Sequence, residues 1–218
     1  MFESPEGYII DKLKPSDREG IVEVALKLYT KGEPLGDLIG LSYNDFKEFM
    51  EPLILDWLKY DYCMVAKCEK TDEIAGLLLS QPLVKGEDLL IWGKFSPQSS
   101  KAKYYTEVCT IIESAVNVLD LFGVDKALDH SYLAVREDHR HKGLGIALAK
   151  AVNKIGEEDG FRAFAVTATN KYTAQIYRKL GFSSVYRLDY NTLEYNGKML
   201  DPSVTNGTEA VEVLGLRV

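Results

Sequence analysis

No stretch of this 218-residue chain is apolar for long enough to suggest a membrane-spanning helix, which takes about 18 or more such residues. The first residues, Met1-Phe2-Glu3-Ser4-Pro5-Glu6-Gly7, lack the basic start and apolar centre of a secretory signal. Cysteine is scarce. Cys63, Cys68 and Cys109 are spaced unlike a zinc site, so reduced thiols rather than disulfides are expected. The three histidines, His130, His139 and His141, make no ligand pattern, and no metal is expected. Positive charge is short as well: 26 Lys and Arg against 33 Asp and Glu leave a net charge of −7. That balance argues against nucleic acid or an anionic membrane as the main partner. It suits a cationic partner, although solubility alone accounts for it. Repeats and low-complexity segments are also absent. What remains is the expectation of one cytoplasmic domain over residues 1–218, monomeric with a dimer left open. With 46% hydrophobic residues, it can bury a sizeable core.

The apolar spacing supplies the elements. Residues 8–13 read as an opening strand. Ser16 or Asp17 then caps a helix with Ile21, Val24, Ala25, Leu28 and Tyr29 on one face. The run Gly32-Glu33-Pro34-Leu35-Gly36 breaks that helix, and a second one runs from an N-cap at Ser42 to Leu58. Residues 62–68 and 74–81 read as a hairpin. Residues 85–103 read as a loop, and residues 104–122 as a helix stopped by Gly123. A strand at 129–135, a helix at 143–158, a near-continuously apolar strand at 161–168 and a helix at 170–180 follow. Strands at 183–190 and 210–218 flank a polar excursion. The order β-α-α-β-β-α-β-α-β-α-β-β predicts an α/β fold: one sheet, helices on both faces, and a ligand site at the middle strand.

The segment Arg140-His141-Lys142-Gly143-Leu144-Gly145 joins the strand ending at Val135 to a strong helix former. A helix start leaves backbone N–H groups unpaired and carries partial positive charge, so this junction suits a pyrophosphate. Gly143 and Gly145 allow close backbone approach, and Arg140 and Lys142 add positive charge. The P-loop pattern and the Gly-x-Gly-x-x-Gly dinucleotide pattern are both missing. The plain alternative is a basic surface turn ahead of a helix.

Arg-x-x-Gly-x-Gly after a strand resembles the coenzyme A loop of the GNAT acetyltransferase superfamily. A second segment, Asn170-Lys171-Tyr172-Thr173-Ala174-Gln175-Ile176-Tyr177 through Gly181-Phe182, resembles that family's Asn-x-x-Ala/Ser-x-x-x-Tyr-x-x-x-Gly-Phe, with Thr173 in place of the usual Ala or Ser. Read plainly, Tyr177 is a core aromatic and Gly181 a helix stop. Glu33-Pro34-Leu35 is similar to the motif holding the catalytic glutamate of insect arylalkylamine N-acetyltransferases, the dopamine N-acetyltransferase type. Read plainly, a lone loop glutamate is merely solvated. Strict alternation puts Asp129, Ser131, Leu133 and Val135 on one strand face. Vertebrate arylalkylamine enzymes carry two histidines where Asp129 and Ser131 stand.

The resemblance covers nearly the whole chain. It implies a GNAT acyl-CoA N-acyltransferase fold whose mixed central sheet splays to admit acetyl-CoA. Leu133 and Val135 would pair with pantetheine. Arg140, His141, Lys142, Gly143, Leu144 and Gly145 would hold the pyrophosphate, with Asn170 and Thr173 also at the cosubstrate. The implied reaction is direct acetyl transfer to the primary amine of a small arylalkylamine such as serotonin, dopamine, tyramine or tryptamine, with Glu33 as base and Tyr177 as acid. Alternatives left open are a polyamine or agmatine acetyltransferase, a coenzyme A-binding protein without activity, and a protein-lysine acetyltransferase. The acceptor pocket is expected from residues 32–42, 85–103 and 191–207, with Tyr43, Phe46, Trp92 and Tyr186 as a candidate aromatic wall.

Overall fold

The computed structural model describes residues 2–14, 18–30 and 32–218; the expected cap at Ser16 or Asp17 lies outside them. Strand β1 (Tyr8–Lys12) is followed by α1 (Arg18–Tyr29), α2 (Pro34–Ile39) and α3 (Tyr43–Trp57). Strands β2 (Met64–Cys68) and β3 (Ile74–Val84) form the expected hairpin, and α4 (Ser100–Ala115) and α5 (Val118–Phe122) lead to β4 (Lys126–Val135). Then come α6 (Leu144–Glu158), β5 (Ala163–Ala168), α7 (Lys171–Lys179) and β6 (Ser183–Asp189). A small hairpin of β7 (Glu194–Tyr195) and β8 (Lys198–Met199) precedes β9 (Ala210–Arg217).

Local chemistry explains the boundaries. Ser42 caps α3 with a reciprocal capping box to Asp45, as the sequence predicts. The helix expected over 104–122 is two helices. Val116 is extended, and the Asn117 side chain accepts the N–H groups of Leu119 and Asp120 to start α5. The first of the two begins earlier than expected, at Ser100, because Ser99 caps it. The break at Gly32–Gly36 is not a bare loop: α2 forms there, with Pro34 at its first turn and Glu33 as its N-cap.

The seven-stranded sheet runs β1-β2-β3-β4-β5-β9-β6 and is mixed, with β4–β5 parallel and its other neighbours antiparallel. On one face, Val65, Leu77, Leu79 and Tyr132 pack with α1, α3 and α4 around Phe49, Leu53 and Tyr105. On the other, Met64, Ala66 and Leu78 pack with α6 and α7 around Leu148, Val152 and Tyr177. Fully burying such apolar side chains contributes about 1.5–3 kcal/mol each, so both helical layers are firmly seated.

Two irregularities sit in β4. The strand meets β5 at only two positions, Leu128–Phe164 and Asp129–Ala165, and pairs with it no further among the described residues. The two central strands therefore splay from His130 onward. The β3–β4 register also slips, from Leu79–Tyr132 to Gln81–Asp129, so Ser80 faces both His130 and Ser131. This bulge overturns the strict alternation expected of β4. Asp129 and Ser131 face the α1–α3–α4 layer, as does Tyr132, whereas Leu133 and Val135 pack in the α6–α7 layer.

Candidate active site

The junction from β4 to α6 has the shape the sequence suggests, for partly different reasons. Gly143 is the N-cap of α6 with φ of +79°, a left-handed conformation that glycine adopts freely, and no side chain caps the first turn. The N–H groups at Leu144, Gly145 and Ile146 thus lack a side-chain acceptor at the start of a 15-residue helix. That arrangement fits a pyrophosphate. Gly145 is a glycine for packing: a Cβ there would lie 2.8 Å from Ile176 Cδ1 of α7. Leu144 is a core side chain that offers only its backbone to a ligand. Arg140 and His141 are exposed; Arg140 Nε donates to the Val135 carbonyl at 3.4 Å, and His141 has φ of +64°.

Lys142 is engaged. Its Nζ donates to the Tyr8 hydroxyl at 2.9 Å, and that hydroxyl is 2.8 Å from His139 Nδ1. His139 is buried and ties the loop to edge strand β1. Asn170 caps α7, its Oδ1 accepting the Tyr172 N–H at 2.8 Å. Thr173 sits half-buried on the first turn of that helix.

Tyr177 is fully buried two turns into α7. Its hydroxyl is 2.8 Å from Nδ1 of His130, the first β4 residue beyond the last β4–β5 pair. The phenol and imidazole are packed by Phe182, with Phe164 also against His130. Burial pushes the Tyr177 hydroxyl well up and lowers His130 to about 3, so both are neutral at physiological pH.

On the opposite face, Glu33 is only 5% exposed. Its Oε2 accepts the Gly36 N–H at 2.5 Å, and its Oε1 is buried with no hydrogen-bond partner among the described residues. Burial raises this carboxyl to about 7. The Thr169 hydroxyl is close enough to oppose that rise without reaching hydrogen-bond geometry with Oε1, and the N–H groups of Gly36 and Leu35 also oppose it. Gly36 was not singled out in the sequence, yet a Cβ there would strike Phe46 at 2.1 Å and Glu33 Oε2 at 2.9 Å.

A cavity of about 480 Å³ lies in the same layer. Tyr29, Trp57, Trp92 and Tyr105 give it an aromatic wall, and Glu87, Asp88, Glu113 and Asp129 bring carboxyl groups to it. Of the expected aromatics only Trp92 lines it. Phe46 is core, Tyr43 is exposed and Tyr186 is half-buried on β6. Of the three expected pocket segments only 85–103 contributes, through residues 87–92; α4 and α5 supply much of the rest. Burial raises Glu113 to about 7 and Asp129 to about 6, where hydrogen bonds from Ser131, at 2.6 Å, and from Gln81 hold Asp129 down in part. Glu33 does not line the cavity itself; its charge adds to burial in raising the hydroxyls of Tyr29 and Tyr105, which do. The signal for Asp129 in the sequence is its place on a strand of the sheet interior, where a carboxylate is rarely buried without a reason.

Among the described residues no cluster of three or more His, Cys, Asp or Glu side chains is placed to hold a metal, and no helix is long and apolar enough to cross a membrane. Cys63 and Cys109 are buried, and no disulfide joins the three cysteines.

The description of an acetyltransferase (GNAT) domain matches residues 106–184, from α4 through the phosphate loop and α7 to the start of β6. Similar solved structures extend the match over the whole fold. Arylalkylamine N-acetyltransferase 2 from Aedes aegypti superposes with a TM-score of 0.84 at 20% identity, covering 97% of this chain and 99% of that one. An agmatine N-acetyltransferase gives 0.82 at 21% identity, covering 98% and 100%. The Drosophila melanogaster polyamine N-acetyltransferase gives 0.81 at 21%, covering 97% and 100%. Splayed sheet, uncapped helix start and the match over residues 106–184 agree on the fold of a GNAT acetyltransferase domain.

Proposed function

We propose that the protein, a single domain over residues 1–218, acetylates the primary amine of a small arylalkylamine. Glu33 takes the ammonium proton and Tyr177 protonates the departing sulfur. The observation that carries this reading is Glu33 itself: a buried carboxyl raised to about 7, one oxygen unpartnered, whose charge acts on Tyr29 and Tyr105 of the aromatic-walled cavity. A base tuned near neutrality matches its task. An alkylamine has a pKa of about 10, by analogy with lysine, and must lose a proton before it can attack.

The cosubstrate supplies the activated acetyl group. For its binding, the uncapped first turn of α6 and Arg140 receive the pyrophosphate, with Asn170 and Thr173 alongside, and the free edge of β4 at Leu133 and Val135 pairs with the pantetheine arm. The amine occupies the cavity. Glu33 accepts one proton from it, directly or through water, and later returns that proton to solvent. As the C–N bond forms and the C–S bond breaks, the sulfur takes the Tyr177 proton. The proton shed by the new amide nitrogen restores the tyrosine. Holding amine and thioester in one cleft supplies much of the rate.

The carboxyl groups of Glu87, Asp88, Glu113 and Asp129 favour a second reading, a polyamine or agmatine acceptor whose distant cation they would neutralise. Coenzyme A release from acetyl-CoA with tyramine, serotonin, dopamine, agmatine, spermidine and spermine separates the two. Preference for the aromatic amines supports the arylalkylamine reading, and preference for the multiply charged ones replaces it with the second. Tight acetyl-CoA binding without turnover of any of them would leave a binding protein or a protein-lysine acetyltransferase.

A further inference from the structure

We infer that Tyr8 of edge strand β1 is a positioning residue for the pyrophosphate loop: it holds Lys142, which thereby serves as a strut for the loop and not as a ligand to the phosphates. The inference rests on the reading of the α6 start as the pyrophosphate site.

The shape of the loop calls for a brace. Lys142 stands between two residues in the left-handed conformation, His141 with φ of +64° and Gly143 with φ of +79°. Glycine adopts that conformation freely. A histidine in it persists only where surrounding contacts over-determine the backbone. His141 itself is exposed. The residues on either side of Arg140 and His141 supply the contacts, and both converge on one atom. Lys142 Nζ donates to the Tyr8 hydroxyl at 2.9 Å, and that oxygen is 2.8 Å from His139 Nδ1. An ammonium has donors only, so the direction of the first bond is settled. The stretch from His139 to Lys142 is closed as a small arch on Tyr8.

The anchor is firm. Tyr8 is buried and pairs with Cys68 of β2. Its ring lies 5.6 Å from Lys142 Nζ and meets the His139 imidazole edge-on, with the centroids 5.6 Å apart. The direction of Lys142 matters as much as its partner. Strands β2 and β3 separate β1 from β4, whereas the gap in the sheet lies on the opposite side of β4, toward β5. The start of α6 reaches that side through Gly145, where a Cβ would meet Ile176 of α7 and Leu133 of β4. Lys142 turns the other way, to the sheet edge.

Calorimetric titration of acetyl-CoA into Tyr8→Phe, Lys142→Met and the double variant tests the inference. Tyr8→Phe keeps the buried ring, and Lys142→Met alters an exposed side chain, so the fold should survive both. Each single variant should raise acetyl-CoA Kd about fivefold or more, with the amine KM and the kcat at saturating acetyl-CoA within about twofold of wild type. The double variant should bind no worse than Tyr8→Phe alone, because both changes remove one contact. Amide hydrogen exchange in free Tyr8→Phe should quicken at residues 139–145 and stay unchanged in α7. A phosphate ligand would behave otherwise: Lys142→Met would weaken binding, while Tyr8→Phe, by releasing the ammonium, would leave it unchanged or tighter. That pattern, or additive losses in the double variant, overturns the inference. Gly143→Ala tests the underlying site. Weaker acetyl-CoA binding there, with an unchanged Kd in Tyr8→Phe, defeats the inference and spares the site. An unchanged Kd in Gly143→Ala removes the site, and the inference falls with it.

Discussion

The two faces of the sheet are built on different plans. The α6–α7 face assembles its functional groups from one nearly continuous stretch, residues 130–182. The α1–α3–α4 face assembles its own from Tyr29 and Glu33 near the start, Trp57 in α3, the 87–92 segment, α4 and Asp129 of β4. The first plan suits a constant partner, since a local strand–loop–helix fixes a phosphate site by backbone geometry alone. The second suits a variable partner, because each wall of the cavity belongs to a different segment and can change without disturbing the others. The α6–α7 face offers backbone N–H groups, whereas the α1–α3–α4 face offers buried carboxyls and rings.

The sharpest break in that comparison should come from Glu33→Gln, which keeps a cap for α2 but removes the base. We expect kcat/KM to fall by about 10²–10⁴ and its acidic limb near pH 7 to disappear, with acetyl-CoA Kd unchanged by isothermal titration. A persisting limb would assign the proton to another group. The same carboxyl bears on stability. Its folded pKa lies above the ordinary glutamate value of 4.5, so its protonated form favours the fold. That advantage is complete below about pH 4.5 and is lost as pH rises through about 7. Glu33→Gln should therefore gain on the wild type between pH 5 and pH 8, by up to roughly 3 kcal/mol in denaturant titrations. Asp129 and Glu113 shift in the same direction, so the wild type should weaken over the same window.

Gly36→Ala comes next. The added methyl meets Phe46 and Glu33 Oε2, so the acceptor face should lose about 1–3 kcal/mol of stability together with kcat, while acetyl-CoA binding stays intact. Equal loss of cosubstrate affinity would show that the two faces are not separable. Gly143→Ala is the mirror experiment. A left-handed alanine costs about 1–2 kcal/mol, and the weakened property should be acetyl-CoA Kd rather than the amine KM. The smallest effect is expected from Glu113→Gln, a few-fold change in amine KM that is larger for di- and polycations than for aromatic monoamines. No distinction between those classes would remove Glu113 from acceptor recognition.

The same division sets what the sequence could reveal. The strand, loop and helix around Gly143 and the helix from Asn170 to Gly181 were legible because their shape is written in local backbone chemistry: an uncapped helix start, an N-cap and a stop. The capping box at Ser42 was legible for the same reason. Most of the acceptor cavity was not, because it depends on which distant segments meet. Trp92 was found, but nothing near Tyr29, Trp57 or Tyr105 in the chain marks them as neighbours. The split of the 104–122 helix was hidden by its unbroken apolar stripe, although Asn117 is a good capping residue. The burial of His139 was hidden because a histidine in a polar, basic segment gives no hint of a tyrosine partner 131 positions away.

The extra residue in β4 has a consequence for how such a protein can change. A regular strand has one phase: whatever faces one side at its start does so at its end. With Ser80 opposite both His130 and Ser131, β4 carries two phases in ten residues. Asp129 and Ser131 face the cavity, while His130, Leu133 and Val135 face the α6–α7 layer. Substitutions at the two sets of positions are thereby uncoupled in space though adjacent in the gene, so the cavity lining is free to drift residue by residue while the α6–α7 side of the strand stays fixed.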